Sequence, residues 1–461
     1  MNDKQKAAGA QAWRVARALQ GAMVPAKGNS VWSPACVTNL LSLVREGSSG
    51  ITLQELNQLM GAESFLAEQD PFGLILEHGW HYDGYDSSIA SAVWLSEAAN
   101  PEEGFLKTCD ENAIKIAIRD LTSVGTSQEI AAWIAEQTRG LLSPSVDLSP
   151  TAMACLVSAL YLKDAWDDPF EDCDTEIDDF HSPNGDVKAA FMKGRRDCRV
   201  IEGNNCTAVS VMLSSGAEMC FVLPVDDKCD SMEAMRLFEA LGSERPLVDE
   251  PVDLSIPRFE CESNIDAFES LLKAAGISSA ASMELLPMTG INPTPTQMVH
   301  GAKLKVNEAG MEAGAYTMMI ACMGLPPEDP PEPRKIVLDR PFYVAVLSQT
   351  GAPLFIGSVE EPLNDTIVWR DIYVDDESLV WRDEEIEGWC RVTVEADEDF
   401  ENHEITCGIY GSMVHTVFAS SYDEAKKAYD SIKRDFEEFV RLSEQDDFDT
   451  GQWIDGFVSK W

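Results

Sequence analysis

Up to about residue 80 the apolar positions recur at three- and four-residue intervals, the spacing of helices that bury one face. One such stretch is Ala10-Gln11-Ala12-Trp13-Arg14-Val15-Ala16-Arg17. A second opens at Ser33-Pro34, a capping hydroxyl followed by a proline suited to the first helical position. A third is expected to start near Thr52, where Thr52-Leu53-Gln54-Glu55 has capping-box spacing. The pattern then changes. Residues 89–95, 156–162, 208–213, 219–223 and 252–256 are short apolar or alternating runs of strand length. Long helices first, strands clustered later and no even strand–helix–strand repeat predict an α+β chain with large sheets.

Pro326-Pro327-Glu328-Asp329-Pro330-Pro331-Glu332-Pro333 fits neither a helix interior nor a central strand, because its prolines lack backbone donors. It is expected to be exposed and extended. After Pro362 the chain becomes dense in Asp and Glu, and Val368-Trp369-Arg370-Asp371 is echoed by Val380-Trp381-Arg382-Asp383. A boundary is therefore expected near 363, dividing residues 1–362 from an acidic α+β domain at 363–461. In that domain 391–395, 404–410 and 413–419 alternate like strands. Residues 421–442 read as one helix with Tyr422, Ala425, Tyr429, Ile432, Phe436 and Phe439 on a single face, which is core spacing.

Composition narrows the functions available. Of 461 residues, 45% are hydrophobic and 25% charged, ordinary values for a folded globular chain. The net charge of -44 disfavours nucleic acid and anionic membrane surfaces as partners. The 12 cysteines are scattered singly, and Cys155 and Cys220 sit in apolar runs, so reduced thiols are expected. Charges break up the N-terminal segment as a signal sequence, and no stretch of membrane-spanning length lacks charge; a cytoplasmic location is expected. There is no Gly-x-Ser-x-Gly, His-Glu-x-x-His or paired-cysteine motif, and His78-Gly79-Trp80-His81 is a weak metal pattern. Neither enzymatic activity, a metal nor a cofactor is expected.

Asn307-Glu308-Ala309-Gly310-Met311-Glu312-Ala313-Gly314-Ala315 resembles the hinge of the serpins, usually Asn-Glu-Glu-Gly-Thr-Glu-Ala-Ala-Ala. Other landmarks of that family follow in order: Asn29-x-x-x-Ser33-Pro34, Gly47-x-x-Gly50-x-Thr52, Ala159-Leu160-Tyr161-x-Lys163-x-x-Trp166-x-x-x-Phe170, His300-x-Ala302, Asp339-Arg340-Pro341-Phe342 and Pro353-Leu354-Phe355-x-Gly357. The resemblance spans nearly all of residues 1–362. It implies three sheets, about nine helices and an exposed reactive-centre loop above a sheet with a vacant slot.

It further implies a metastable monomer that acts on a target protease through a covalent acyl-enzyme complex, its cut loop inserting as a new strand. Hinge roles fall on Glu308, Ala309, Gly310, Met311, Glu312, Ala313, Gly314 and Ala315. The shutter that controls sheet opening falls on Ser33, Cys36, Ser158 and His300; Cys36 and Ser158 replace the usual residues, and Ser158 keeps a hydroxyl able to bond His300. Family spacing puts the scissile bond at Gly324-Leu325, with Met323-Gly324 the alternative and Cys322 beside them. No Arg or Lys lies at the cut, which favours elastase-like or subtilisin-like proteases over trypsin-like ones.

Whether this loop suits burial as a strand can be read from the residues themselves. Alternate positions Met311, Ala313, Ala315, Thr317, Met319 and Ala321 are uncharged, and prolines begin only at Pro326. Ala309, Met311 and Tyr316 depart from the family pattern, and the alternative they raise is a serpin without inhibitory action, serving as carrier, chaperone or storage protein.

Overall fold

The structure, a computed structural model, describes residues 3–23, 28–61, 72, 85–142, 144–149, 151–225, 229–243, 249–265, 268–292, 296–311, 332–364, 367–372, 380–386, 388–396, 403–443 and 448–461. Residues 78–81 and 312–331 lie outside them.

Helices α1 (Asp3–Met23), α2 (Pro34–Glu46) and α3 (Gly50–Met60) come first. Every residue of α2 from Pro34 to Arg45 is buried, with Ser33 capping the helix by accepting the Cys36 N–H at 3.1 Å. The third helix starts earlier than expected, at Gly50, and its capping box does not form. Tertiary partners take those side chains instead: Thr52 donates to Ser279 Oγ at 3.0 Å, and Glu55 accepts from Ser279 N–H at 3.0 Å.

A six-stranded sheet runs in the order β10 (Phe259–Ile265), β11 (Thr296–Asn307), β12 (Gly310–Met311), β4 (Ala154–Ala165), β2 (Asp86–Ser96) and β3 (Lys115–Arg119). A nine-stranded sheet runs β1 (Ser30–Trp32), β15 (Pro353–Val359), β14 (Phe342–Leu347), β8 (Glu218–Pro224), β7 (Cys206–Met212), β6 (Gly185–Glu202), β9 (Asp249–Pro257) and β13 (Arg334–Val337), with β5 (Glu176–Ser182) beside β6. The long strand β6 joins its two halves, pairing with β5 near its start and with β7 at its end. The strand runs read from the sequence lie within β2, β4, β9 and β8, with 208–213 on β7 and running one residue past it. Four further helices, α4 (Glu103–Glu111), α5 (Val124–Gln137), α6 (Ser231–Leu241) and α7 (Phe268–Ala274), and the single turn α8 (Leu286–Thr289) complete this part.

One apolar core lies between the two sheets and contains Leu160 and Leu162 of β4, Leu304 and Val306 of β11, and Phe221, Phe259 and Phe342. The three phenyl rings meet edge to face, with centroids 5.5 to 6.5 Å apart. A second core packs α1, α2, α3 and α6 against the sheets.

Beyond residue 366 a five-stranded antiparallel sheet runs β16 (Arg370–Asp371), β17 (Val380–Ile386), β18 (Cys390–Ala396), β19 (His403–Ile409) and β20 (Met413–Ala419). The sequence echo falls on paired strands, with Asp371 opposite Glu384. Helix α9 (Tyr422–Ser443) covers the sheet with Ala425, Tyr429, Ile432, Phe436 and Phe439, and α10 (Thr450–Lys460) packs on α9. Tyr422 departs from the expected face; it is 49% exposed, with its ring edge-on to His403. Every described cysteine is free. Burial pushes the thiols of Cys155 and Cys220 up to about 12, so they stay protonated as small apolar groups.

Candidate functional site

Strands β4 and β11 are parallel and bond each other directly at one end only, from Ala154 opposite Thr296 to Val157 opposite Val299. Beyond that point they part. Residues 158–163 and 300–305 keep their outer partners, β2 and β10, but have no strand on the side facing the gap among the described residues. Backbone donors and acceptors therefore line both walls of a gap shaped for one more strand.

The far end of the gap is closed by the segment expected to act as a hinge. After Asn307 the chain turns through Glu308 and Ala309, and Gly310 and Met311 enter between the two strands. Gly310 pairs with Asn307 and Ala165; Met311 pairs with Val306 and Asp164. Gly310 has φ +137, and a Cβ there would meet Asp164 O at 2.3 Å, so only glycine fits. Met311 is buried in the core between the sheets, and Ala309 accepts the Trp166 N–H through its carbonyl at 3.3 Å. Two of the three departures from the family hinge thus have places in the packing. The third, Tyr316, lies outside the described residues.

Glu308 anchors the turn. Its carboxylate accepts from Arg258 Nε at 2.8 and 2.9 Å and from the Thr175 hydroxyl at 2.7 Å; Glu308 is buried and its ion-pair partner Arg258 is partly buried. Its carbonyl accepts the Phe170 N–H at 3.2 Å, and the Asn307 carbonyl accepts Trp166 Nε1–H at 2.8 Å. Desolvated charges are tolerated here because each meets several partners.

Where the strands part, Ser158 and His300 are the first residues past the direct ladder. His300 is buried and its Nε2 accepts the backbone N–H of Ser33 at 3.2 Å, next to the start of α2. Burial lowers its pKa from 6.5 to about 4, so the ring is neutral at physiological pH. The expected bond between Ser158 and His300 does not form: His300 Nε2 takes the Ser33 N–H, and the buried Ser158 hydroxyl sits against the Cys36 thiol instead. Cys36 lies beside Ser33 and Ser158, its thiol pushed up to about 11 chiefly by burial.

Glu308, Ala309, Gly310 and Met311 are thus gathered at one end of the gap and Ser33, Cys36, Ser158 and His300 at the other. Glu312, Ala313, Gly314, Ala315, Cys322, Met323, Gly324 and Leu325 lie outside the described residues. Sequence reading missed Arg258 and Thr175. The available signal was an arginine held between strand-like apolar runs in Ile256-Pro257-Arg258-Phe259. No group of three His, Cys, Asp or Glu side chains able to hold a metal occurs among the described residues.

A family model described as "Serpin (serine protease inhibitor)" matches residues 7–362. The jellyfish Cyanea capillata has a "Serine protease inhibitor" 26% identical over 365 residues, covering 73% of this chain and 93% of that one. Among solved structures, the thermophilic serpin Tengpin in its native state aligns with a TM-score of 0.66 at 19% identity, covering 78% of this chain and 95% of its own. An Arabidopsis serpin in its native stressed conformation aligns with a TM-score of 0.65 at 24% identity, covering 79% and 100%.

Proposed function

Because this chain belongs to the serpin family, we propose that it is a suicide inhibitor of serine proteases that traps the acyl-enzyme by inserting its cleaved loop between β4 and β11. The observation that carries this reading is the unfilled gap with Gly310 and Met311 already seated at its end. Continuing their register, residue 312 meets Lys163 on one wall and Lys305 on the other, and residue 317 meets Ser158 and His300. Further insertion must unzip the direct ladder from Val157–Val299 to Ala154–Thr296, ending with residue 321. Both walls are 12 residues long, and residues 310–321 match them end to end.

The same register puts Met311, Ala313, Ala315, Thr317, Met319 and Ala321 on the core face, since Met311 is buried there. None carries charge, and Pro326 remains beyond the strand. A cut at Met323-Gly324 or Gly324-Leu325 frees the whole inserting segment. The protease serine oxygen attacks the carbonyl carbon, the peptide C–N bond breaks, the amine leaves with a proton, and the ester remains on the protease. Insertion then supplies a strand partner to both walls where none lies between them among the described residues, a driving force available only after the loop is cut. Apolar residues at the cut suit elastase-like or subtilisin-like proteases, and the inhibitor works as a monomer on residues 1–362, with 363–461 as a separate acidic unit.

Incubation with elastase-like, subtilisin-like and trypsin-like proteases, followed by denaturing electrophoresis and mass analysis of the released peptide, tests this. A denaturation-resistant complex with release of the peptide starting at Gly324 or Leu325 is the expected result. Cleavage by every protease without any complex would establish the non-inhibitory alternative, for which Tyr316 is the remaining motive.

A further inference from the structure

The appended acidic unit touches the hinge from two sides. Arg258, which holds Glu308, also donates from Nη1 to the carbonyl of Ile367 at 2.8 Å, on the segment that leads into the five-stranded sheet. On the other side, Lys433 of α9 bonds Asp172 at 2.7 Å, and Asp172 belongs to the turn that delivers Thr175 to Glu308. Trp369 Nε1–H bonds Glu437, one helical turn beyond Lys433, at 3.0 Å. The contacts therefore close a ring: Glu308, Arg258, Ile367, Trp369, Glu437, Lys433, Asp172, Thr175 and back to Glu308.

Lys433 is well chosen for this position. It is buried, its ammonium bonds Glu384 at 2.8 Å inside the appended unit as well as Asp172, and it lies 5.0 Å from the Trp369 ring centroid. Burial alone would lower its pKa, but the two carboxylates outweigh that and raise it, so it is charged. A buried lysine with one carboxylate on each unit ties the units together, because separating them gives up one of its two charge-assisted hydrogen bonds.

We propose that Lys433 and Arg258 are positioning residues through which the appended unit holds the hinge turn seated, with Gly310 and Met311 already between β4 and β11, and so favours insertion over hydrolysis. The link to inhibition rests on the reading above; the seating itself does not. In the family's terms the hinge turn is part of the inhibitor domain, but here half of its bracing ring comes from residues 367–437.

Asp172→Asn is the informative variant, since it weakens the link while leaving Lys433 and Glu384 paired within the appended unit. Hydrogen exchange at the amides of Gly310 and Met311, measured on the full chain without protease, is expected to accelerate roughly tenfold to a hundredfold, the loss associated with a charge-assisted hydrogen bond. Lys433→Met should do the same if its unit remains folded, which the exchange of β18 and β19 amides reports. Lys433→Arg should restore slow exchange, and Lys460→Ala, which removes the pair with Asp435 and the contact with the Trp461 ring inside the appended unit, should leave it unchanged. With a reactive protease, Asp172→Asn should shift product from complex to cleaved inhibitor. Unchanged exchange at Gly310 and Met311 in Asp172→Asn overturns the proposal even if inhibition is intact. Accelerated exchange with no complex from any protease supports the brace and rejects the inhibitory reading alone.

Discussion

The backbone N–H of Ser33 donates to Nε2 of His300 at 3.2 Å, and His300 is the first residue of β11 after its direct ladder with β4 ends. Protonating Nε2 would set a donor against a donor. With a folded pKa near 4 against 6.5 unfolded, the unfolded chain takes up a proton first as pH falls, so stability is full above pH 6.5 and declines toward pH 4. Lowering the pH from 7.5 to 5 should cost about 2 kcal/mol through this group. Urea transitions at both pH values should be separated by that much more in the native chain than in His300→Gln; equal separations would refute the assignment.

Gly310→Ala should expel the hinge. The new Cβ would meet the Asp164 carbonyl and the Ala165 backbone, which belong to a central strand and cannot give way. Complex formation should fall and simple cleavage rise on a denaturing gel, with fold retained by circular dichroism. Wild-type levels of complex would mean that the seated conformation plays no part.

Glu308→Ala should destabilise the chain by about 2–4 kcal/mol, because it leaves the partly buried Arg258 guanidinium without its carboxylate. The double variant Glu308→Leu, Arg258→Met should recover much of that loss. Thermal or denaturant midpoints across the cycle measure it, and additive effects would contradict direct coupling.

The register of β12 predicts a charge effect during insertion. Residue 312 is a glutamate, and it would arrive opposite Lys163 and Lys305 on the outer face. Exposed cross-strand pairs contribute about 0.2–1 kcal/mol each, so reversing both lysines to glutamate should slow insertion several-fold. Inhibitor consumed per protease trapped should rise accordingly, and Glu312→Lys should restore it in the reversed background.

Thiol titration offers a simple check on the cores. Of the described cysteines only Cys173 is not buried, and burial pushes several of the others up to about 12. A chromogenic disulfide at pH 8 should react rapidly with at most Cys173 and Cys322 in the native protein, and with all 12 after denaturation. More than two fast thiols would contradict the packing.

The hydrophobic pattern carried β2, β4, β7, β8 and β9 and the α9 face apart from Tyr422, because alternation and helical periodicity are local consequences of burying one side. It failed at Thr52 and Glu55, whose capping pattern was overridden by Ser279, and it gave no strand at β17, where Asp383 and Glu384 are buried against Arg391 and Lys433. Motif order singled out Glu308 to Met311 and Ser33, Cys36, Ser158 and His300, which the fold brings to the two ends of one gap. What the linear chain could not express is which residues from remote segments meet there. Glu308 is held by Arg258, 50 positions away, and the turn that supplies Thr175 is bonded by Lys433, 261 positions from Asp172. By itself, then, the sequence determined a proline-free segment whose alternate positions are uncharged and suited to burial as one face of a strand, since side-chain chemistry and period decide that. Tertiary structure decided that two walls stand with no strand between them among the described residues and that the appended unit is bonded to the residues that hold Glu308, because long-range pairing and desolvated charges have no local signature.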